Sequence, residues 1–272
     1  MKSTVYLAET NDRISFVRQV LEKVKVNLIQ TEGMKVLVKP NIVSEELYPT
    51  TTHPEVLATV LDLLLDWQCQ IMVADGPAID AGDSARIIAH HPLAEVCAGR
   101  RLELQDVHRH GFRKVTTGSM ALEISNLAFG HDLIISLPVL KPHRSCGLTG
   151  ALKNQFGLLS NRERIMMHTR TKNLHRGVAE LNTVVKPAFF IVDAVETYRY
   201  TNERRHGGRQ VSLGYMLAGK DPVALDAYGL SLLQQVESNL ANKHPEDIPH
   251  IAEALKLGLG SPDYEIEPVK LG

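Results

Sequence analysis

Cysteine is scarce in this 272-residue chain, and the three present, Cys69, Cys97 and Cys146, are odd in number and far apart. This excludes a disulfide framework and predicts reduced thiols in a cytoplasmic setting. It also removes the closely spaced ligands of a cysteine-held iron–sulfur cluster, so no such cluster is expected within the chain. Long apolar runs are missing as well. Leu133 to Leu140 and Val56 to Leu65 are the longest stretches, well short of the ~18–20 residues of a membrane span. Val5 to Ala8, followed by Glu9, is too short for a signal peptide, and no membrane partner is expected. Neither charge is in excess: 30 Lys and Arg face 31 Asp and Glu. That balance argues against holding nucleic acid by general positive charge. The nucleotide-binding glycine patterns are also lacking. Glu9-Thr10-Asn11 stands where a dinucleotide fingerprint would place glycines. Gly150 is separated from Lys153 by Ala151 and Leu152, whereas a P-loop sets Gly directly before Lys. Internal repeats, low-complexity linkers and coiled-coil heptads are absent.

What the chain does have is apolar periodicity that switches repeatedly between two and three to four. The first third reads β-α-β-α-β. A strand over Thr4 to Ala8 leads to a helix carrying Val17, Val20, Leu21, Val24 and Leu28 on one face, capped by Asn11 or Asp12. A strand at Lys35 to Val38 runs into Lys39-Pro40-Asn41, and a helix opens at Pro54, a first-turn proline with no N–H bond to lose. A third strand, Ile71 to Ala74, breaks at Asp75-Gly76-Pro77. Helical sequence over Ser84 to Ala98 is interrupted at Pro92, and short strands follow near Leu102 to Gln105, Lys114 to Thr116 and Ala121 to Ile124. Leu133 to Leu137 has the unbroken apolar character of a strand buried on both faces. A helix over Asn173 to Val185, strands at Ala188 to Val192 and Leu213 to Ala218, a helix opening at Asp221-Pro222 and another over Ile248 to Leu257 complete the pattern, with an irregular tail. The expected fold is α/β: a mostly parallel sheet with helices on both faces and a ligand cleft at the strand carboxyl ends. Residues 1–272 form a single domain, or two lobes, 1–125 and 126–272.

That architecture brings the polar residues just after separate strands, Lys39 and Asn41, Asp75, Lys141 and His143, and Asp193, to one edge. Residues 141–176 hold eight Lys and Arg against one acid, Glu163. A run of this kind is ordinarily a solvated helix face. Here, however, Gly147 to Gly157 mixes small residues with Lys153 and Asn154, as an anion-cradling backbone requires. Lys153, set beside apolar Ala151 and Leu152, is a candidate for a lowered pKa, or else a structural partner of Asp193 or Asp75. His143 has the intrinsic pKa of an acid–base group near neutrality, or else caps a loop. Cys146, between Ser145 and Gly147, is a candidate for a lowered thiol pKa. His168 and His175 are an unconvincing metal pair, because Arg170, Lys172 and Arg176 surround them. No metal is assigned, and the cofactor and oligomeric state are unspecified. Asp221 caps a helix, Asp226 packs on the basic loop, and Asp75 and Asp193 pair only if their strands are neighbours.

Lys39-Pro40-Asn41, His53-Pro54, Asp75-Gly76-Pro77, Leu137-Pro138 to Lys141-x-His143, Leu148 to Asn154 through Gly157, His168, Ile191-Val192-Asp193 and Ala218 to Asp226 together resemble the uncharacterised domain of unknown function family 362. The resemblance covers nearly the whole chain, and its Lys-x-His and Leu-Lys-Asn blocks are specific. It implies a family in which many members append a ferredoxin-like cysteine segment, which three scattered cysteines do not match. A fainter similarity is to the amino-terminal domain of the lactate racemase family, where a functional histidine also precedes a lysine by about ten residues, as His143 precedes Lys153.

The sequence therefore predicts a cytoplasmic enzyme binding a small anionic metabolite, carboxylate or phosphate, with His143 and Lys153 catalytic. Lys39, Asn41, Asp75, Lys141, Asn154, His168 and Asp193 are the expected ligand-binding residues. A non-catalytic anion-binding module and a redox partner lacking its own cluster are the competing classes, and racemase-like chemistry is the remote one.

Overall fold

Alternating apolar periods become alternating strands and helices, and the computed structural model describes residues 2–271 of them. The amino-terminal half runs β1 (Ser3–Glu9), α1 (Arg13–Leu28), β2 (Lys35–Lys39), α2 (Pro54–Asp66), β3 (Gln70–Asp75), α3 (Ser84–His90), α4 (Pro92–Ala98), β4 (Leu104–Asp106), β5 (Phe112–Thr116) and β6 (Ala121–Ser125). The rest runs β7 (Leu133–Ser136), β8 (Lys141–His143), β9 (Gly147–Thr149), α5 (Ala151–Asn154), α6 (Asn161–His168), α7 (Leu174–Val184), β10 (Phe189–Arg199), β11 (Arg209–Gly219), α8 (Pro222–Leu233), α9 (Pro249–Lys256) and β12 (Tyr264–Pro268). Caps mark the helix starts where the sequence places them. Asp12 accepts from Ser15 N, and Asp221 accepts from Val223 N and Ala224 N. Pro92 ends one helix and His91 caps the next.

Eight strands form one sheet in the order β12-β1-β11-β10-β7-β2-β3-β4. Only β11 runs against the others, since β1 and β10 are both antiparallel to it and the remaining pairs are parallel. The sheet is therefore mostly parallel, and its helices divide between its two faces. Alternate strand residues show this directly. Val36, Val38, Ile135, Phe189 and Ile191 pack with α1, α2 and α4. Leu37, Ile134, Phe190 and Val192 pack with α5, α7, α8 and α9. A period of two serves both faces at once, which is why the central strands read as unbroken apolar runs.

The structure corrects several expectations. The tail is not irregular: β12 adds a parallel edge strand beside β1. β10 continues to Arg199 and β11 begins at Arg209, so the two form a long hairpin that projects past the sheet. The basic segment is not one solvated helix face. It folds into the β8–β9 hairpin, the single turn of α5 and the short α6, with Lys141 and Arg164 buried and Arg162 and Arg170 exposed. β3 and β10 have β7 and β2 between them, so Asp75 and Asp193 do not form a carboxylate pair.

The β5–β6 hairpin lies off the main sheet and is pinned by one buried acid. Glu180 of α7 accepts the backbone N–H of Ser119 at 2.9 Å, the hydroxyls of Ser119 and Thr117, and Arg176 Nε at 2.7 Å. Burial pushes its pKa up, but the Ser119 and Thr117 bonds outweigh this and hold it down to about 2. A carboxylate held below its unfolded value, 4.5 here, stabilises the fold fully above that value and loses this contribution as pH falls toward 2. Glu180→Gln is expected to cost roughly 1.5–3 kcal/mol at neutral pH and to flatten the acid limb of stability in that window. Urea denaturation from pH 7 to 2 reads both effects; an unchanged acid limb would assign acid sensitivity to other carboxylates.

Candidate functional site

At the carboxyl ends of β2 and β3 the chain buries an ion pair. Lys39 Nζ donates to Asp75 Oδ1 at 2.7 Å and to the Pro40 carbonyl at 3.0 Å, and neither side chain is accessible. Asp75 Oδ2 accepts Ile42 N–H at 2.6 Å, which turns the chain out of β2. Burial pulls Lys39 below the ordinary lysine range despite Asp75. Gly157 lies directly on the pair: a Cβ there would overlap Asp75 Oδ1 and sit 3.1 Å from Lys39 Nζ. The pair is thus the floor beneath a cleft of about 430 Å³.

Of the residues singled out in the sequence, Asn41, Asp75, Lys141, His143, Lys153, Asn154 and His168 line this cleft. Lys39 and Asp193 do not. Lys39 is sealed below with Asp75, while Asp193 accepts Arg13 Nε at 2.7 Å and the Tyr48 hydroxyl at 2.7 Å, and anchors α1 and the loop 40–53. Both carboxylates offered as structural partners for Lys153 are therefore occupied by other cations.

Lys141 is wholly buried and donates to Asn41 Oδ1 at 2.8 Å and to the Thr50 carbonyl. Burial, reinforced by Lys153, pulls it down to about 7. Lys153 is shifted down too, by burial and then by Arg164, with its Nζ 4.5 Å from the centre of the Phe156 ring. Among the described residues neither lysine forms an ion pair. Lysines with lowered pKa values in a cleft, opposed by Glu203 only beyond ion-pair distance, mark a candidate functional site.

His143 Nδ1 accepts the backbone N–H groups of Ser145 and Cys146 at 3.1 and 3.2 Å, so the ring proton resides on Nε2. Burial, then the charge of Lys153, holds His143 well below the usual imidazole value. It is a neutral N–H donor whose other nitrogen is spent on the β8–β9 turn. His168, the last residue of α6, sits edge-on to Phe156 with ring centres 5.7 Å apart, and burial beside Lys153 lowers its pKa as well. Asn154 donates to Ser136 Oγ at 2.9 Å and leaves a buried Oδ1 without a partner among the described residues. The thiol of Cys146 is not activated: burial raises its pKa, against the expectation from its basic surroundings.

Some cleft residues were not singled out from sequence. Arg164 reaches in from α6, but the carbonyls of Gly76, Pro77, Gly157 and Leu159 all hold it, and burial lowers it to about 10. Its only sequence signal is membership of the basic run. Glu203 and His206, at the tip of the β10–β11 hairpin, have no signal at all. That tip closes one side because Arg204 and Arg205 donate backbone N–H to Glu46, and Arg205 Nη2 pairs with Asp80 at 2.9 Å.

The family model described as Domain of unknown function (DUF362) matches residues 36–231, which span β2 through most of α8. The chain belongs to this family. It is 27% identical over 246 residues to a thylakoid-associated protein of Synechocystis sp., covering 86% of this chain and 71% of that protein. Among solved structures, the lactate racemase apoprotein from Thermoanaerobacterium thermosaccharolyticum aligns with a TM-score of 0.51 at 15% identity, over 79% of this chain. This chain covers 54% of the racemase chain, about half its length, and the likeness is one of fold. Among the described residues no helix is long and apolar enough to cross a membrane.

Asp75→Asn strands Lys39 as an uncompensated buried cation and is expected to destabilise the protein by about 3–5 kcal/mol. Gly157→Ala, which forces the floor apart, shifts stability in the same direction. Chemical denaturation at pH 7 measures both. A loss under about 1 kcal/mol for Asp75→Asn would show that the pair does not support the floor.

Proposed function

We propose that this protein is an enzyme that binds a small anionic metabolite, a carboxylate or phosphate ester, and moves a proton on it within the cleft above Lys39 and Asp75. The observation that carries this reading is the pair of desolvated lysines, Lys141 and Lys153, with no carboxylate in ion-pair reach among the described residues. A buried cation without a partner is costly, and an anionic ligand supplies the missing countercharge. Asn41 and Thr50 orient the Lys141 ammonium, while Lys153, without a hydrogen bond among the described residues, is free to meet the ligand.

One imidazole takes the proton and the other stabilises the charge that develops. A neutral His143 presenting Nε2–H stabilises negative charge developing on a ligand oxygen without itself carrying charge. His168, also kept neutral by its surroundings, serves as base on the rim. A non-catalytic module would need the lysines but not two imidazoles held neutral beside them. The three cysteines, all buried and free, suit a reducing, cytoplasmic compartment; thylakoid association is a property of the relative.

Thermal shifts with lactate, other small carboxylates and phosphate esters test the reading. At one hundred times its dissociation constant, a ligand of the folded state stabilises by about 2.7 kcal/mol. The stabilisation is expected to weaken with salt, because the attraction is screened over ~10 Å at 0.1 M. It is also expected to weaken as pH rises past about 7, where Lys141 deprotonates. Lys153→Met should abolish the ligand response while leaving the free protein as stable or slightly more so. Salt-insensitive binding, or equal responses from both proteins, would place the ligand elsewhere. A bound anion with no turnover would favour the module.

A further inference from the structure

Three residues that the cleft does not use meet behind the wall carrying His143 and Lys153. Cys146 lies in the β8–β9 turn, His175 in the first turn of α7 and His250 in the first turn of α9. The Cys146 sulfur and one nitrogen from each ring lie within 4.8 Å of one another. Cys146 and His250 are fully buried. Among the described residues neither nitrogen of His250 has a hydrogen-bond partner, nor does His175 Nδ1. An unpaired buried polar group is costly, and folded proteins rarely leave several together.

We propose that these three residues bind one Zn(II) ion, or a divalent ion of similar borderline softness. One sulfur and two imidazole nitrogens are the donors such an ion prefers, with a water completing a tetrahedral set. Zinc bonds of about 2.0–2.3 Å draw the three donors closer than their present spread, by side-chain rotation from three fixed backbones. Binding converts the Cys146 thiol to a thiolate and releases one proton to solvent; no redox change is involved. Of the three cations that argue against a metal in the sequence, two are neutralised in the fold and the third, Arg170, is exposed to solvent. Arg176 pairs with Glu180 at 2.7 Å and Glu253 at 3.0 Å, and Lys172 pairs with Glu163 at 2.6 Å. His175 therefore finds ligand partners across the tertiary structure and not in His168, seven residues away on the cleft rim.

The surroundings supply the outer support such sites use. Asp226 Oδ2 lies 3.8 Å from His250 Nε2, and the same carboxylate accepts the N–H groups of Ala151 and Leu152 at 2.6 and 3.1 Å. A carboxylate beside a ligating histidine fixes its ring and raises its basicity. Here that carboxylate also sets the start of α5, which carries Lys153, and Cys146 N–H holds His143. The ion would tie β8–β9, α7 and α9 together and brace the cleft wall. Partial exposure of His175 leaves a way in.

Titration of the chelator-treated full chain with Co(II) tests the site. One equivalent is expected to produce a thiolate-to-cobalt charge-transfer band with tetrahedral ligand-field bands, release one proton per ion, and be displaced by Zn(II). Cys146→Ser is expected to lose the charge-transfer band, and His250→Gln to weaken Zn(II) binding at least ~10-fold. No charge-transfer band in the wild-type chain, or one that persists in Cys146→Ser, overturns the proposal, the latter by placing the metal at another cysteine. The wild-type titration decides the matter even if a variant fails to fold.

Discussion

Everything at the cleft depends on the burial of one ion pair, Lys39 with Asp75, where two neighbouring parallel strands end. In a low-dielectric interior an unpaired charge is costly, so β2 and β3 must finish in register for the pair to form. Val38 opposite Val73 secures that register. The pair then dictates what lies above it. Asp75 takes the N–H of Ile42 and sets the exit of the loop 40–53, and only a glycine fits at position 157. With Asp75 satisfied by Lys39, and Asp193 by Arg13 and Tyr48, the acids beneath the sheet edge are spent. Among the described residues, Lys141 and Lys153 are left facing the cleft with no carboxylate paired to them.

The basic segment is therefore a set of cations with different tasks. Arg164 is held by backbone carbonyls and ties α6 to the loop after β3, and Lys172 neutralises the buried Glu163. Lys141 and Lys153 are kept desolvated and unpaired, which lowers their pKa values and readies them for an anion. The same local field holds His143 and His168 neutral. The chain as a whole carries almost no net charge, so this field is a local product of folding and not of composition.

A shared wall links the cleft to the cluster behind it. The β8–β9 turn that supplies Cys146 supplies the N–H groups that orient His143, and Asp226 faces His250 on one side while capping α5 on the other. Precision at His143 and Lys153 thus rests on a turn and a single helical turn, both too short to be stable alone. Their packing against α7, α8 and α9 holds them in place.

Much of this was legible in the sequence because it is local. Periodicity and capping, from Asp12 through Pro54 and Pro92 to Asp221-Pro222, mark nearly every long helix and the sheet strands. The rule that ligands sit beyond parallel strand ends brings Asn41, Asp75, Lys141 and His143 into one neighbourhood. What remained hidden depends on pairing between distant segments. β12 lacks an apolar run because only an edge strand's partner identifies it. The exchange of roles between Lys39 and Lys153 is decided by which ammonium reaches Asp75, a distance set by strand order. Cys146, a candidate for activation from its charged neighbours, is instead buried and raised in pKa, because charge counted along a chain says nothing about desolvation. His175 shows the same limit: its sequence neighbours are cations, but its neighbours in space are a thiol and an imidazole from 29 and 75 residues away. Sequence alone determined the α/β alternation and the chemical kinds of group at the sheet edge. Tertiary structure alone decided which charges cancel and which remain, because electrostatic and ligand interactions act over distances in space that spacing along the chain does not encode.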